Sequence, residues 1–139
     1  MKKVLILCTG NSCRSIIAEA LINAECDGMV AESSGVKASG RVNPNAKKVL
    51  ENEGIWNEKY HSKTLDTVID NDYDLVVTVC AHALETCPTF PKPVKSLHVG
   101  FEDPDGKDFE EFESTLVEIR KVLLPEIVKV LRQAQEPSK

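Results

Sequence analysis

The sequence predicts an α/β fold, a three-layer sandwich around a four-stranded parallel sheet. Three observations carry that expectation. Short β-type apolar runs alternate with amphipathic helical stretches, the pattern of βαβ units. The run Tyr73 to Val79 is almost continuously apolar, as a central parallel strand covered on both faces must be. A length of 139 residues with 42% apolar content fills one core and not comfortably two, so 1–139 reads as a single domain.

The elements follow in order. Lys3 to Leu7 is a compact apolar strand that ends at Cys8 and opens into a Gly-containing loop. Ser15 to Glu25 is a helix with Ile16, Ile17, Ala20, Leu21 and Ala24 along one side. Met29 to Ser33 is a weaker strand. Asn43-Pro44 starts the next helix, because proline suits a first turn whose N–H groups have no partner anyway; Ala46, Val49 and Leu50 give it an apolar face. Tyr73 to Val79 is the third strand, Ala81 to Thr86 a mobile connection, and Pro93 to Val99 the fourth strand. From Phe112 to Gln133 a long helix sets Leu116, Ile119, Leu123, Ile127 and Val130 at helical spacing, with Pro125 expected to kink or split it. The tail Gln135 to Lys139 is polar and expected to fray.

Composition bounds the function. A formal charge of -5 argues against nucleic acid or an anionic membrane as partner, although a small anion can still bind where the positive potential is local. Val4 to Leu7 is too short for the core of a signal peptide and no apolar run approaches a membrane span, so a cytoplasmic protein is expected. In a reducing compartment, cysteines 8, 13, 26, 80 and 87 are odd in number and irregular in spacing. They read as buried thiols, metal ligands or redox-active residues and not as a disulfide framework.

In open parallel sheets, ligands bind outside the carboxyl ends of the strands. Cys8 follows the first strand, Cys80 follows the third, and Asp103 lies shortly after the fourth. The segment Cys8-Thr9-Gly10-Asn11-Ser12-Cys13-Arg14-Ser15 leaves a strand and opens a helix. Backbone N–H groups of such a loop can chelate a tetrahedral oxyanion beside the helix N-terminus. Gly10 is expected to supply a conformation other residues avoid, and Asn11 to tolerate left-handed geometry and brace the loop. Arg14 offers a planar fork to two oxygens. Cys8 sits at the base, where the positive field should lower its thiol from about 8.5 toward or below neutrality, with Ser15 donating to the thiolate. Cys13 and Cys26 read as structural.

The Cys8-x5-Arg14-Ser15 motif after an N-terminal strand resembles the low-molecular-weight protein tyrosine phosphatase superfamily, and within it the thioredoxin-coupled arsenate reductases. The resemblance runs on through Asn43-Pro44-Asn45-Ala46, the Cys80/Cys87 pair and Asp103-Pro104, nearly the whole chain. It implies a low-molecular-weight phosphatase-like fold and an enzyme reducing arsenate to arsenite by a three-cysteine relay. Cys8 would attack arsenate, a Cys8–Cys80 disulfide would release arsenite, and Cys87 would move the disulfide to Cys80–Cys87 for reduction by thioredoxin. The residues themselves also allow inert thiols, or a zinc site from Cys80, His82, Cys87 and His98, although that spacing matches no common zinc pattern.

The resemblance further implies Asp103 as general acid to the departing oxygen. It implies arsenate and phosphate-like oxyanions as ligands, thioredoxin as electron donor, no resident cofactor or metal, and a monomer. The alternative is a phosphatase working through a Cys8 phosphoenzyme. Aryl-phosphate enzymes of the superfamily carry aromatic residues after Asp-Pro; here Asp105-Gly106 follow, and Trp56 and Tyr60 read as core packing. Some arsenate reductases of this type bind potassium through the equivalents of Asn11, Glu19 and Ser33 plus an aspartate. That last position holds Lys63, whose ammonium is expected to pair with Glu19 in place of the ion.

Overall fold

The computed structural model describes residues 1–86 and 90–135. Its strands are β1 (Lys2–Cys8), β2 (Met29–Gly35), β3 (Leu75–Thr78) and β4 (Lys95–His98). Its helices are α1 (Arg14–Glu25), α2 (Pro44–Asn52), α3 (Ala81–Thr86), α4 (Phe109–Glu118) and α5 (Leu124–Gln135). The four strands form one parallel sheet in the order β2-β1-β3-β4, flanked by helices, which is the three-layer α/β sandwich. No helix among the described residues is long and apolar enough to cross a membrane.

The strand order places the site. The chain leaves β1 for β2 on one side and returns to β3 on the other, so the connections diverge above β1 and β3 and leave a crevice at their carboxyl ends. The register carries Gly35 beside Cys8, Leu7 beside Thr78 and Thr78 beside His98, so all four strands end at one edge. β1 and β3 are buried on both faces. β4 is an edge strand, mostly exposed and shorter than the expected Pro93 to Val99.

Two connections take a definite form. Residues 81–86, read from the sequence as a mobile connection, form a short helix. Cys80 starts this turn, its Sγ accepting the Ala83 N–H at 3.4 Å and its carbonyl the Leu84 N–H at 3.2 Å. The long C-terminal helix widens into a π-helical turn at Ile119–Leu123, where the Leu124 N–H reaches back five residues to the Ile119 carbonyl. The cause lies next door: Pro125 has no N–H to give the Lys121 carbonyl, and the chain absorbs the lost bond by widening.

The core is mostly Val, Leu, Ile and Ala, with Phe112 on α4 as its largest fully buried side chain. Truncating it leaves a cavity between α4 and its neighbours. Phe112→Ala is expected to lower the free energy of unfolding by about 3–5 kcal/mol in urea titration with an unchanged m-value; a loss below about 1 kcal/mol would mean the site collapses freely.

Candidate active site

β1 ends at Cys8 and α1 begins at Arg14, and the intervening turn is held from outside. The carbonyls of Cys8, Thr9, Gly10 and Ser12 accept the N–H groups of Val36, Lys37, Ser39 and Asn43 at 3.1, 3.0, 2.9 and 3.0 Å. In a trans peptide the C=O and the following N–H point in opposite directions. Four carbonyls facing outward therefore turn the N–H groups of Thr9, Gly10, Asn11 and Cys13 inward. The Asn11 N–H lies 3.2 Å from Cys8 Sγ, so the ring closes around the sulfur. Convergent N–H groups at a helix N-terminus, with a thiol at their base, form a cradle for a tetrahedral anion.

The residue in left-handed conformation is Asn11, at φ 50°, and not Gly10. A Cβ on Gly10 would meet only Ser12 Oγ at 3.5 Å, so that glycine is not required for space. Gly35 is. A Cβ there would stand 2.5 Å from the Thr9 carbonyl oxygen and 3.1 Å from the Asn11 nitrogen. Sequence reading missed Gly35 because its reason is a neighbour 26 positions away, visible only once the β1–β2 register is known.

Asn11 is fully buried and uses its whole side chain. Its Nδ2 donates to Ser15 Oγ at 2.8 Å and to Ser33 Oγ at 2.9 Å, and its Oδ1 accepts the Lys63 N–H at 2.8 Å. Ser33 in turn donates to Glu19 Oε1 at 2.6 Å. Because Ser15 Oγ accepts from Asn11, its one hydrogen is left for Cys8 Sγ at 2.9 Å.

Burial is the largest influence on Cys8 and pushes its thiol above the ordinary value. The Ser15 hydroxyl, the N–H groups of Ser15 and Asn11, and the Arg14 charge pull the other way. The expected thiol at or below neutrality is thus overturned: a side chain 2% exposed has lost the water that would stabilise a thiolate. Cys13 is equally buried, in the core, and burial drives its thiol to about 12.

Glu19 is a buried carboxyl raised to about 7, first by burial, against the opposing Ser33 hydrogen bond and the Lys63 charge. No ion pair joins Lys63 to Glu19 among the described residues, so the expected pairing is only a longer-range attraction. Asn11 Oδ1 meets the Lys63 N–H and Ser33 Oγ meets Glu19, and the side chain at position 63 brings an ammonium and no oxygen.

Arg14 directs its guanidinium at the loop after β4. Nη1 donates to the Phe101 carbonyl at 3.1 Å, and Nη2 lies 3.4 Å from Asp103 Oδ2. Asp103 therefore reaches the rim of the cradle, half-exposed, in a turn closed by Lys107 N–H on the Pro104 carbonyl. Cys80 is buried, its Sγ 3.3 Å from Thr9 Oγ1, so the second thiol lies beside the residue that follows Cys8. Cys8, Cys13, Cys26 and Cys80 are free thiols. Cys87 lies outside the described residues, and no group of three metal-ligating side chains occurs among those described. Trp56 and Tyr60 pack edge to face at 5.8 Å against the core.

Two consequences are measurable. Ser15→Ala removes the shortest bond to Cys8 Sγ. Alkylation of Cys8 by iodoacetamide at pH 7, followed by peptide mass mapping, should slow by about tenfold, one unit of thiol pKa; an unchanged rate would show that the hydroxyl does not govern the thiol. Glu19 holds its proton more tightly folded than unfolded. Its contribution to stability is present below its ordinary 4.5 and is lost as pH rises through about 7. Between pH 4.5 and 8 the wild type should lose about 2–3 kcal/mol more unfolding free energy than Glu19→Gln. Parallel curves for the two proteins would refute the shift.

The sequence matches the low molecular weight phosphotyrosine protein phosphatase family over residues 3–136. An arsenate reductase of Bacillus cereus (strain 03BB102) is 44% identical over 121 residues, covering 86% of this chain and 90% of its own. The crystal structure of an arsenate reductase from Archaeoglobus fulgidus DSM 4304 superimposes with a TM-score of 0.74 at 36% identity, over 85% of this chain and 93% of that one. A low molecular weight protein tyrosine phosphatase from T. tengcongensis gives 0.80 at 28% identity, over 93% and 99%. With the sheet order, the outward-anchored loop and these relatives in agreement, the chain belongs to the low molecular weight phosphotyrosine protein phosphatase family.

Proposed function

We propose that this chain is an arsenate reductase that works through Cys8, Cys80 and Cys87 and is regenerated by thioredoxin. The observation that carries the reading is the second buried thiol: Cys80 Sγ stands 3.3 Å from the hydroxyl of the residue next to Cys8. A hydrolase needs one nucleophile; a two-electron reduction needs a second thiol within reach of the first. The 44% identity to an arsenate reductase supports the same side.

Arsenate enters the cradle, its oxygens taken by the loop N–H groups and the Arg14 fork. Cys8 sulfur bonds to arsenic while Asp103 gives a proton to the departing oxygen, which leaves as water. Arsenic is still pentavalent. Cys80 thiolate then attacks Cys8 Sγ. The S–S bond forms, the As–S bond breaks, and its electron pair passes to arsenic, which leaves as arsenite. Cys87 thiolate attacks Cys80 and expels Cys8 as thiolate. Thioredoxin dithiol reduces the Cys80–Cys87 disulfide and becomes a disulfide itself, supplying the two electrons. In this reading the chain acts as a cytoplasmic monomer with no resident cofactor.

Arsenate-dependent NADPH consumption with thioredoxin and thioredoxin reductase tests it. Wild type should turn over, Cys80→Ser should release no arsenite, and Cys87→Ala should stop after about one equivalent. Hydrolysis of an aryl phosphate with no arsenate turnover would make the chain a phosphatase acting through a Cys8 phosphoenzyme. Normal turnover by Cys87→Ala would leave the reductase but remove Cys87 from it.

A further inference from the structure

Asn43 stands where three parts of the site meet. Its backbone N–H holds the Ser12 carbonyl at 3.0 Å, one of the outward anchors of the cradle. Its Oδ1 accepts the Asn45 N–H at 2.8 Å and caps α2. Its Nδ2 donates to Asp105 Oδ1 at 2.7 Å, across the rim, in the loop that carries Asp103. The Asp105 N–H in turn donates to Asp103 Oδ1 at 3.0 Å. One residue, through its backbone N–H and its side chain, thus ties the anion-binding loop to the carboxyl proposed as general acid.

Arg14 makes the other tie, through Phe101 and Asp103. That tie competes with catalysis, because the fork that grips Asp103 is the fork an oxyanion takes. The Asn43–Asp105 bond uses no group the substrate needs. It also holds in place the Asp105 carboxylate, which an arriving dianion would repel.

We propose that Asn43 is a positioning residue for the chemical step: through Asp105 it keeps Asp103 at the cradle once Arg14 has turned to the substrate. The proposal rests on the general-acid reading of Asp103.

The test is single-turnover arsenite formation by the pre-reduced full-length protein at varied arsenate, which needs no thioredoxin. Asn43→Ser keeps a capping oxygen for α2 but is too short to reach Asp105. Asn43→Ser and Asp105→Ala should each lower the maximal rate by about tenfold, with half-saturating arsenate within about twofold. The double variant should be no slower than either single one, because both break the same bond. In an Asp103→Asn background, Asn43→Ser should have no further effect. Should Asn43→Ser fail to fold, Asp105→Ala carries the same prediction without touching the α2 cap. A wild-type maximal rate in Asp105→Ala, alongside a slowed Asp103→Asn, would overturn the proposal while leaving the acid in place. Weakened competition by inorganic phosphate with an unchanged maximal rate would overturn it too, placing Asn43 in the cradle alone. Undiminished rate in Asp103→Asn would remove the general acid, and the proposal with it.

Discussion

The carbonyls of Cys8, Thr9, Gly10 and Ser12 are captured by the segment that follows β2, and the rest of the site depends on that capture. A peptide unit cannot aim its oxygen and its N–H the same way, so each oxygen held outside delivers a donor inside. The arrangement exists only because β1 and β2 run parallel and in register, which sets Gly35 against Cys8 and lets residues 36–43 wrap the loop closely. The helix dipole, the Arg14 fork and the thiol all address a cavity shaped by bonds made on its far side.

The same close packing works against the nucleophile. Burial raises Cys8, and every polar neighbour opposes the rise. The chain Glu19–Ser33–Asn11–Ser15–Cys8 is the means: each hydroxyl has its proton committed by the neighbour before it, so the last proton points at sulfur. A carboxyl buried at the far end of that chain costs stability at neutral pH, a cost found at sites where order of protons matters more than depth of folding.

Much of this was legible in the residues. The strand-end rule places Cys8, Cys80 and Asp103 at one edge without any tertiary information, since each follows an apolar run. The Arg14 position follows from a helix starting where the loop ends. What escaped the sequence depends on partners remote along the chain. Gly35 reads as an ordinary strand end until Thr9 stands against it. Gly10 was expected to take an unusual backbone conformation and does not; Asn11, expected to tolerate left-handed geometry, bears it with its side chain locked by three bonds. The direction of the Cys8 shift turned on burial, which a list of positive neighbours does not measure. Pro125 announced a break in the helix, but whether it kinks, splits or widens is decided by packing on both sides.

A pocket read by main-chain donors has an uneven tolerance for genetic change. Residues 36, 37 and 39 contribute only main-chain N–H groups to the loop anchors, so those positions can drift in identity. Their number cannot. One residue inserted or deleted between Gly35 and Ser39 would move a following N–H out of step with the loop carbonyl it serves. In this segment the gene is constrained in its spacing while its spelling is largely free.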